Sequence, residues 1–247
     1  MKYGVITVCL NSATTIAKTI NSVFEQSILP DEYVFVDGGS SDNTLQIIED
    51  AITSAHTRKL GIKFKVVHQL NKGGITEAWN IGLRELKTDI VFILNSDDWY
   101  LPFTASDVLS YFKEHPETDI ILGSGLYFQN DHNIQPIVRH CRPFFTLPFS
   151  NPIIHPACFV KRSVYERIGN FDEKYRVSAD YDFIYRCYKT GIRFKKNRKV
   201  LVNILTGGFA IKNKHIARYE TFEIGKKYSC IPMLPRIALI IRSFLNR

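Results

Sequence analysis

The first hundred residues alternate short apolar runs with amphipathic segments, and this alternation restricts the possible folds more than any other feature. Runs rich in β-branched and aromatic residues occupy positions 3–10, 32–37, 63–69 and 90–94. Apolar residues at helical spacing fall between them, at 15–26, 42–50 and 75–86. Strands separated by helices of about a dozen residues predict a parallel sheet with right-handed crossovers. A length of 247 residues suits one large α/β domain.

The second half of the chain has a less regular pattern, which predicts a mixed α/β region. Helices are predicted at 103–115, 163–168, 179–190 and 212–227. Short strands are predicted at 119–122, 125–130 and 134–139, and a strand-rich stretch at 194–206. Gly207 and Gly208 then interrupt that stretch.

Three of the four early strands end in polar segments, at residues 11–12, 37–39 and 95–98. Ligands of open α/β sheets bind at the carboxyl ends of the strands, so we expect these segments to meet in one crevice. Asp97 and Asp98 are the strongest local signal, because adjacent carboxylates repel each other and favour a divalent cation nearby. Oxygen ligands suit Mg²⁺ or Mn²⁺. The alternative is a turn in which both aspartates only lead into the next helix.

The second polar segment reads DGGSSDNT at residues 37–44. Its glycines allow the backbone to approach a flat ligand closely, and Asp37 could accept hydrogen bonds from a base or a ribose. The alternative is an ordinary strand-to-helix turn in which Asp42 caps the helix.

These segments, taken in order, resemble the nucleotide-sugar half of family 2 glycosyltransferases, which have the GT-A fold. The resemblance rests on VITVCLN at 5–11, VDGGSSDNT at 36–44, NKGGITEAWNIG at 71–82 and NSDD at 95–98. The last stands where the family has its DxD-type motif, with Asn95 in place of the first acid. Trp79 stands where many relatives carry Arg or Met. The resemblance implies a Rossmann-like, mixed nucleotide-binding sheet flanked by helices, with a basic helical C-terminal tail.

By this resemblance, Asp97 and Asp98 hold the ribose and a Mn²⁺ or Mg²⁺ ion, and which of the two ligates the metal stays open. The implied nucleotide-sugar-binding residues are Val8, Leu10, Asn11, Asp37, Gly39, Lys72, Gly74, Asn80, Asn95, Ser96 and Asp97. The implied partners are a nucleotide-diphosphate sugar donor and a glycan or lipid-linked acceptor. The implied activity is inverting sugar transfer to a hydroxyl group in cell-surface polysaccharide synthesis.

The resemblance continues through GNFDE at 169–173 and SADYDFIYR at 178–186. The family's general base falls on Asp180, which begins a predicted helix where the macrodipole favours the ionised carboxylate. Asp182 is the weaker alternative, because Ala179 replaces the acid that usually precedes the base. His155 and Trp99 are further candidates for contact with the acceptor or the diphosphate. His155 could equally be a buried histidine with a structural role.

Charge is distributed unevenly along the chain. Residues 1–182 contain 17 Lys and Arg against 22 Asp and Glu, whereas residues 183–247 contain 15 against 2. We therefore divide the chain into a GT-A domain at 1–210, with halves at about 1–100 and 101–210, and a basic helical extension at 211–247. From Arg236 onward the sequence is amphipathic, which fits either peripheral contact with an anionic membrane or packing on the domain.

Five cysteines without a CxxC pair, and a short first apolar run, predict reduced thiols and no signal peptide. We expect a cytoplasmic protein, positioned at the inner face of the cell membrane if the tail binds lipid. Two other functions are compatible with parts of the sequence. A nucleotidyltransferase normally has a glycine-rich basic loop after its first strand, which residues 11–15 lack. A nucleic-acid-binding module could use the basic third, but the carboxylate-lined crevice does not support it.

Overall fold

A computed structural model describes residues 1–71, 73–129, 134–231 and 233–235. Nine strands within them form one mixed sheet. The strands are β1 (Tyr3–Cys9), β2 (Glu32–Asp37), β3 (Lys63–His68), β4 (Ile90–Asn95), β5 (Trp99–Tyr100), β6 (Ile120–Phe128), β7 (Ile137–Arg139), β8 (Cys158–Lys161) and β9 (Phe194–Leu205). Their order is β3-β2-β1-β4-β8-β6-β9-β5, and β7 pairs with β6 off this path.

Eight α-helices in the same residues cover the sheet. They are α1 (Ile16–Phe24), α2 (Thr44–Thr57), α3 (Gly74–Glu85), α4 (Thr104–Glu114), α5 (Arg162–Ile168), α6 (Ala179–Lys189), α7 (Phe209–Lys212) and α8 (Lys214–Tyr228). Two short 3₁₀ helices lie at Phe144–Thr146 and His155–Ala157.

Strands β1, β2 and β4 of the parallel half are buried on both faces, which explains their continuous apolar runs, whereas the edge strand β3 is partly exposed. Alternate residues of each strand enter different cores, because successive side chains point to opposite faces. In β1, Ile6 and Val8 join the core under α3 and α6, whereas Val5 joins the core under α1, α2 and α4. The pairing β3-β2-β1-β4 is parallel throughout, as the sequence predicts.

The second half of the sheet is mixed, because β8 runs antiparallel to both β4 and β6. The two strands predicted at 119–122 and 125–130 form a single strand, β6, so that prediction was wrong. Gly123 and Gly125 interrupt the sequence pattern but not the strand. A Cβ at either position would lie 2.7–2.8 Å from a side-chain atom of Leu201 or Ile204 in β9. These glycines therefore permit close packing against β9.

Helix α8 packs on α6, although it lies in the segment predicted as an extension. The carboxylate of Glu220 is buried and accepts backbone N–H bonds from Arg176, Val177 and Ser178 at 2.7–2.9 Å. The boundary at residue 210 stays a prediction, and this contact argues that the chain up to Tyr228 packs on the main domain. The amphipathic segment from Arg236 lies outside the described residues. No helix within the described residues is long and apolar enough to cross a bilayer.

Candidate active site

The carboxyl ends of the parallel strands meet in register at one edge of the sheet. Cys9 is paired with Asp37, and Val8 is paired with Asn95, so the segments that follow β1, β2 and β4 start side by side. The hydroxyl groups of Ser12 and Ser96 lie 2.8 Å apart and join the first segment to the last. The three polar segments therefore meet at one edge of the sheet, as the sequence predicts.

Asn11 connects the first two segments and adopts a left-handed conformation (φ 50°), which Asn tolerates better than most residues. Its side-chain oxygen accepts the Ser41 backbone N–H at 2.8 Å, and its own N–H donates to the Ser40 hydroxyl at 2.9 Å. Leu10, by contrast, is largely exposed. The segments are thus fixed by their own polar groups before any ligand binds.

Asp37 is fully buried and serves its own loop. It accepts the backbone N–H groups of Gly39 and Ser40, each at 3.0 Å, and the Ser40 hydroxyl at 2.5 Å. Gly39 has a φ of 92°, which a residue with a side chain rarely adopts. Asp37 therefore shapes the loop, and a base would have to displace one of these donors to reach its carboxylate.

Asp97 and Asp98 follow β4 and differ in exposure, since Asp97 is half-buried and Asp98 is almost completely buried. Burial, and then the charge of Asp97, raises the pKa of Asp98 well above its usual range. The Asn95 amide donates to Asp98 at 3.1 Å and leaves its own buried oxygen, Oδ1, without a partner. Three oxygen-bearing side chains therefore cluster at the end of one strand, and one of their oxygens is unsatisfied.

The end of β9 closes this cluster from the second half of the chain. A Cβ at Gly208 would lie 2.9 Å from a carboxylate oxygen of Asp97, so only glycine fits without displacing that side chain. Burial raises the pKa of Asp97, and the charge of Lys212 in α7 acts in the opposite direction. In the sequence, Gly207 and Gly208 stand out as an interruption of the strand-rich stretch at 194–206, and nothing there identifies Lys212 as a neighbour of the aspartates.

Asp180 lies at the start of α6 and is oriented by two donors. Its carboxylate accepts the Asn151 amide at 2.7 Å and the Tyr181 backbone N–H at 2.8 Å. Burial raises the pKa of Asp180 to about 6, the two hydrogen bonds oppose that shift, and the charge of Glu220 adds to it. A carboxylate that titrates near neutral pH and is held in one orientation suits a general base.

Tyr127 of β6 links the two carboxylate groups. Burial raises the pKa of Tyr127 to about 12; the charge of Arg139 lowers it, whereas those of Asp98 and Asp180 both raise it. The Arg139 guanidinium lies over the Tyr127 ring, 4.5 Å from its centre. Both carboxylates therefore act electrostatically on one tyrosine. Tyr127, Arg139 and Asn151 were not predicted from the sequence, and no motif marks them.

Comparison with known proteins identifies the family. Residues 4–211 match the model of the family described as "Glycosyl transferase family 2". The chain belongs to glycosyl transferase family 2. A PGL/p-HBAD biosynthesis glycosyltransferase of Mycobacterium tuberculosis is 29% identical over 188 residues, which cover 75% of this chain and 69% of that protein.

Solved structures of similar fold support the GT-A assignment. TarS 1–349 of S. aureus in complex with UDP-GlcNAc has a TM-score of 0.71 at 21% identity, covering 100% of this chain and 72% of that one. The mannosyltransferase PcManGT of Pyrobaculum calidifontis, in complex with GDP-Man and Mn²⁺, has a TM-score of 0.69 at 18% identity. The match covers 99% of this chain and 69% of that one. The chain spans only 43% of the longer TarS structure. Membership in the family disfavours the nucleotidyltransferase and the nucleic-acid module.

Two of the roles implied by the resemblance, nucleotide binding by Asn80 and proton transfer by Asp182, do not fit the contacts of these side chains. Asn80 is buried and uses its whole amide to join α3 to the segment before α6. It donates to the Phe171 carbonyl and to Glu173, and it accepts the Phe171 N–H at 3.1 Å. We therefore assign Asn80 a structural role in place of nucleotide binding.

Asp182 also has a structural role. It is fully buried, ion-paired with Arg186 at 2.8 Å and with Lys227 at 3.7 Å, and it accepts the Tyr228 hydroxyl at 2.9 Å. A carboxylate so enclosed is not available to an acceptor hydroxyl. The Asp180 carboxylate, which accepts one side-chain amide and one backbone N–H, is the better candidate for the base.

The remaining candidates differ in placement. His155 packs against Trp79, with ring centres 4.4 Å apart, and burial lowers the pKa of His155 to about 4, so it is neutral at pH 7. Its Nδ1 and the Trp79 Nε1 are buried without partners. Trp99 lies in a groove of about 490 Å³, where the Lys18 ammonium is 3.2 Å from its ring centre. Gly74 begins α3, and Lys72 lies outside the described residues.

Proposed function

We propose that this family 2 glycosyltransferase moves a sugar from a nucleoside diphosphate to a hydroxyl of a glycan or lipid-linked acceptor, with inversion at the anomeric carbon. The proposal includes action in the cytoplasm, at the inner face of the cell membrane, in the assembly of cell-surface glycans. One observation carries it: in a chain that belongs to glycosyl transferase family 2, the segments that follow β1, β2 and β4 start side by side and bring Asn11, Asp37 and the Asp97–Asp98 pair to one edge of the sheet. Asp180, oriented by two donors at the start of α6, supplies the candidate base.

Divalent-metal dependence is part of the proposal, and the residues present fit a hard cation. Asp97, Asp98 and the unpartnered Asn95 Oδ1 supply only oxygen, which Mg²⁺ and Mn²⁺ prefer. No group of three or more His, Cys, Asp or Glu side chains that could hold a metal occurs in the described residues. The donor's phosphates and water would complete the coordination, as is usual for Mg²⁺. When bound, such a cation would act as a Lewis acid that stabilises charge on the leaving diphosphate.

The chain's own residues would then perform the transfer as follows. The loops at Asn11 and Gly39 hold the nucleoside, and the Asp97–Asp98 pair holds the ribose and diphosphate side of the donor. The Asp180 carboxylate accepts the acceptor's hydroxyl proton as that oxygen forms its bond to the anomeric carbon. The bond from the same carbon to the diphosphate oxygen breaks, and the electron pair leaves with the diphosphate. One in-line displacement of this kind inverts the carbon.

The first test measures ligand binding by calorimetry and by thermal unfolding. The ligands are UDP and GDP, each with and without Mn²⁺. We expect one nucleotide to raise the melting temperature in a metal-dependent way, and ligand at 100 times its dissociation constant stabilises by about 2.7 kcal/mol. Asp98→Asn should abolish the metal-dependent part, and Asp50→Asn, on the exposed face of α2, should not. Wild-type protein that binds neither nucleotide would refute the donor assignment.

The second test concerns the reaction. A donor with a defined anomeric configuration should yield product of the opposite configuration, which NMR of the anomeric proton reads directly. Asp180→Asn should bind the nucleotide with wild-type affinity and yield no product. Retention of configuration would contradict the single displacement.

A further inference from the structure

Helix α8 contains a buried carboxylate that takes no part in the reaction proposed above. Glu220 is only 6% exposed. Its Oε1 accepts the backbone N–H of Arg176 at 2.7 Å, and its Oε2 accepts those of Val177 and Ser178 at 2.9 and 2.8 Å. Burying a carboxylate is costly unless its oxygens are hydrogen-bonded, and these three bonds offset that cost. They also attach α8 to the segment 176–178, which precedes α6.

The segment 176–178 leads directly to the candidate base. Ser178 is the last residue before α6, and Asp180 is the second residue of that helix. The Ser178 hydroxyl also donates to the Ala217 carbonyl of α8 at 3.4 Å. Because Asp180 follows this segment so closely, a movement of the segment would move the carboxylate. The position of the candidate base therefore depends on α8.

Helix α8 is attached to α6 on the other side of Asp180 as well. The Tyr228 hydroxyl donates to Asp182 at 2.9 Å, and the Lys227 ammonium lies 3.7 Å from the same carboxylate. Asp180 thus lies between two attachments to one helix, one before it in the sequence and one after it. Attachments on both sides give the first turn of α6 the fixed support that an oriented catalytic group needs.

Glu220 also acts on Asp180 through its charge. Burial is the largest cause that raises the pKa of Asp180 to about 6, and the charge of Glu220 acts in the same direction. From β6 and β8, Tyr127 and Cys158 lie near enough for the charge of Asp180 to raise the pKa of each. Burial keeps both of these groups neutral at pH 7. Removing the charge of Glu220 should therefore lower the pKa of Asp180.

We propose that Glu220 is a positioning residue for the reaction: through the segment 176–178 it holds the Asp180 carboxylate where an acceptor hydroxyl can reach it. This role rests on the proposed function, in which Asp180 is the base. A carboxylate that only stabilised the fold could be replaced by an amide with a loss of stability alone. A positioning residue would also change the catalytic rate of the folded protein.

The test compares the wild type with Glu220→Gln in sugar transfer over a range of pH. Glutamine has nearly the same shape, but it lacks the charge and its NH₂ group cannot accept a backbone N–H. Above the acidic limb, where Asp180 is ionised in both proteins, kcat should fall about tenfold or more, because a small misplacement near the reaction costs up to about a hundredfold. KM for the donor should stay unchanged. The acidic limb of kcat/KM should move to lower pH.

Glu223→Gln is the matched control, because it removes the same charge from the same helix and leaves the three bonds of Glu220 in place. It should keep the wild-type kcat and the wild-type acidic limb. Glu220→Asp keeps the charge on a side chain that is too short to reach all three N–H groups. In this variant kcat should fall while the limb stays in place, and it decides the question if Glu220→Gln does not fold.

Wild-type kcat in either folded variant of Glu220 would overturn the proposal. So would an unmoved titration of the Asp180 carboxyl in Glu220→Gln, followed by NMR of isotope-labelled aspartate with Asp180→Asn to assign the signal. That titration needs no substrate, so it can fail independently of the reaction. Absence of sugar transfer by the wild type would instead refute the proposed function.

Discussion

Replacing Asp180 by Asn should stabilise the folded protein at pH 8, although it removes the candidate base. Burial raises the pKa of Asp180 from 3.8 to about 6. The folded state therefore binds this proton more tightly than the unfolded state does. The resulting contribution to stability is greatest below about pH 4 and declines as the pH rises through 6. Above that pH the protein carries the full cost of an ionised, partly desolvated carboxylate.

The magnitude follows from the pKa difference and the hydrogen bonds. A difference of about 2 pKa units corresponds to about 3 kcal/mol. Asparagine cannot accept both existing donors, from Asn151 and from the Tyr181 backbone, and losing one such bond costs about 1 kcal/mol. The net gain at pH 8 is about 2 kcal/mol, which corresponds to a rise in melting temperature of roughly 4–8 °C for a chain of this size. At pH 4 the electrostatic gain is mostly absent, so Asp180→Asn should be neutral or slightly destabilising.

The assay is thermal unfolding of wild type and variant at pH 4, 5 and 8. Asp182→Asn is the matched control, because it removes a buried carboxylate that is ion-paired with Arg186. Breaking a buried ion pair costs about 3–5 kcal/mol, so this control should lower the melting temperature at pH 8. A lower melting temperature of Asp180→Asn at pH 8, or a change that is the same at pH 4 and pH 8, would refute the reasoning.

Three further outcomes are expected. Asn151→Ala removes a hydrogen bond that holds down the pKa of Asp180, so the acidic limb of kcat/KM should move upward from about 6; an unmoved limb would contradict this role. Gly208→Ala places a Cβ 2.9 Å from Asp97 and should weaken nucleotide binding about tenfold, measured by calorimetry, with little change in melting temperature. Tyr127→Phe should lower kcat and leave donor affinity unchanged, and a changed affinity in titrations would argue against its place beside the reacting groups.

The parallel half of the fold was predictable because its pattern is local. β2 was predicted at the residues where it is found, and the C-terminal ends of β1, β3 and β4 each differ by one residue. Strands buried on both faces and helices buried on one face leave clear signals in a single sequence. β5 leaves none, because it has only two residues and pairs with β9, which lies about a hundred positions away in the sequence.

The site was predictable where strand ends meet and not where distant segments meet. Asn11, Asp37 and Asp97 follow strands, so the parallel topology alone brings them together. Asn151 acts on Asp180 across 29 positions of sequence through an irregular segment. Tyr127 looks like any half-buried strand residue. Asn80 and Asp182 show the opposite case, because both are polar residues within a matched motif whose buried hydrogen bonds and ion pairs hold the fold together.

Asn95 shows how a departure from the family pattern can suit the site. An acid at this position would place a third carboxylate beside Asp97 and Asp98, where burial already raises the pKa of both. The amide instead donates to Asp98, which favours the ionised form of that carboxylate, and it keeps one oxygen free. An aspartate could offer oxygen but could not donate while ionised. The asparagine therefore lowers the repulsion among the three side chains of the proposed cation site and still offers one oxygen, which is consistent with a cation that relies on the donor's phosphates for the rest of its charge balance.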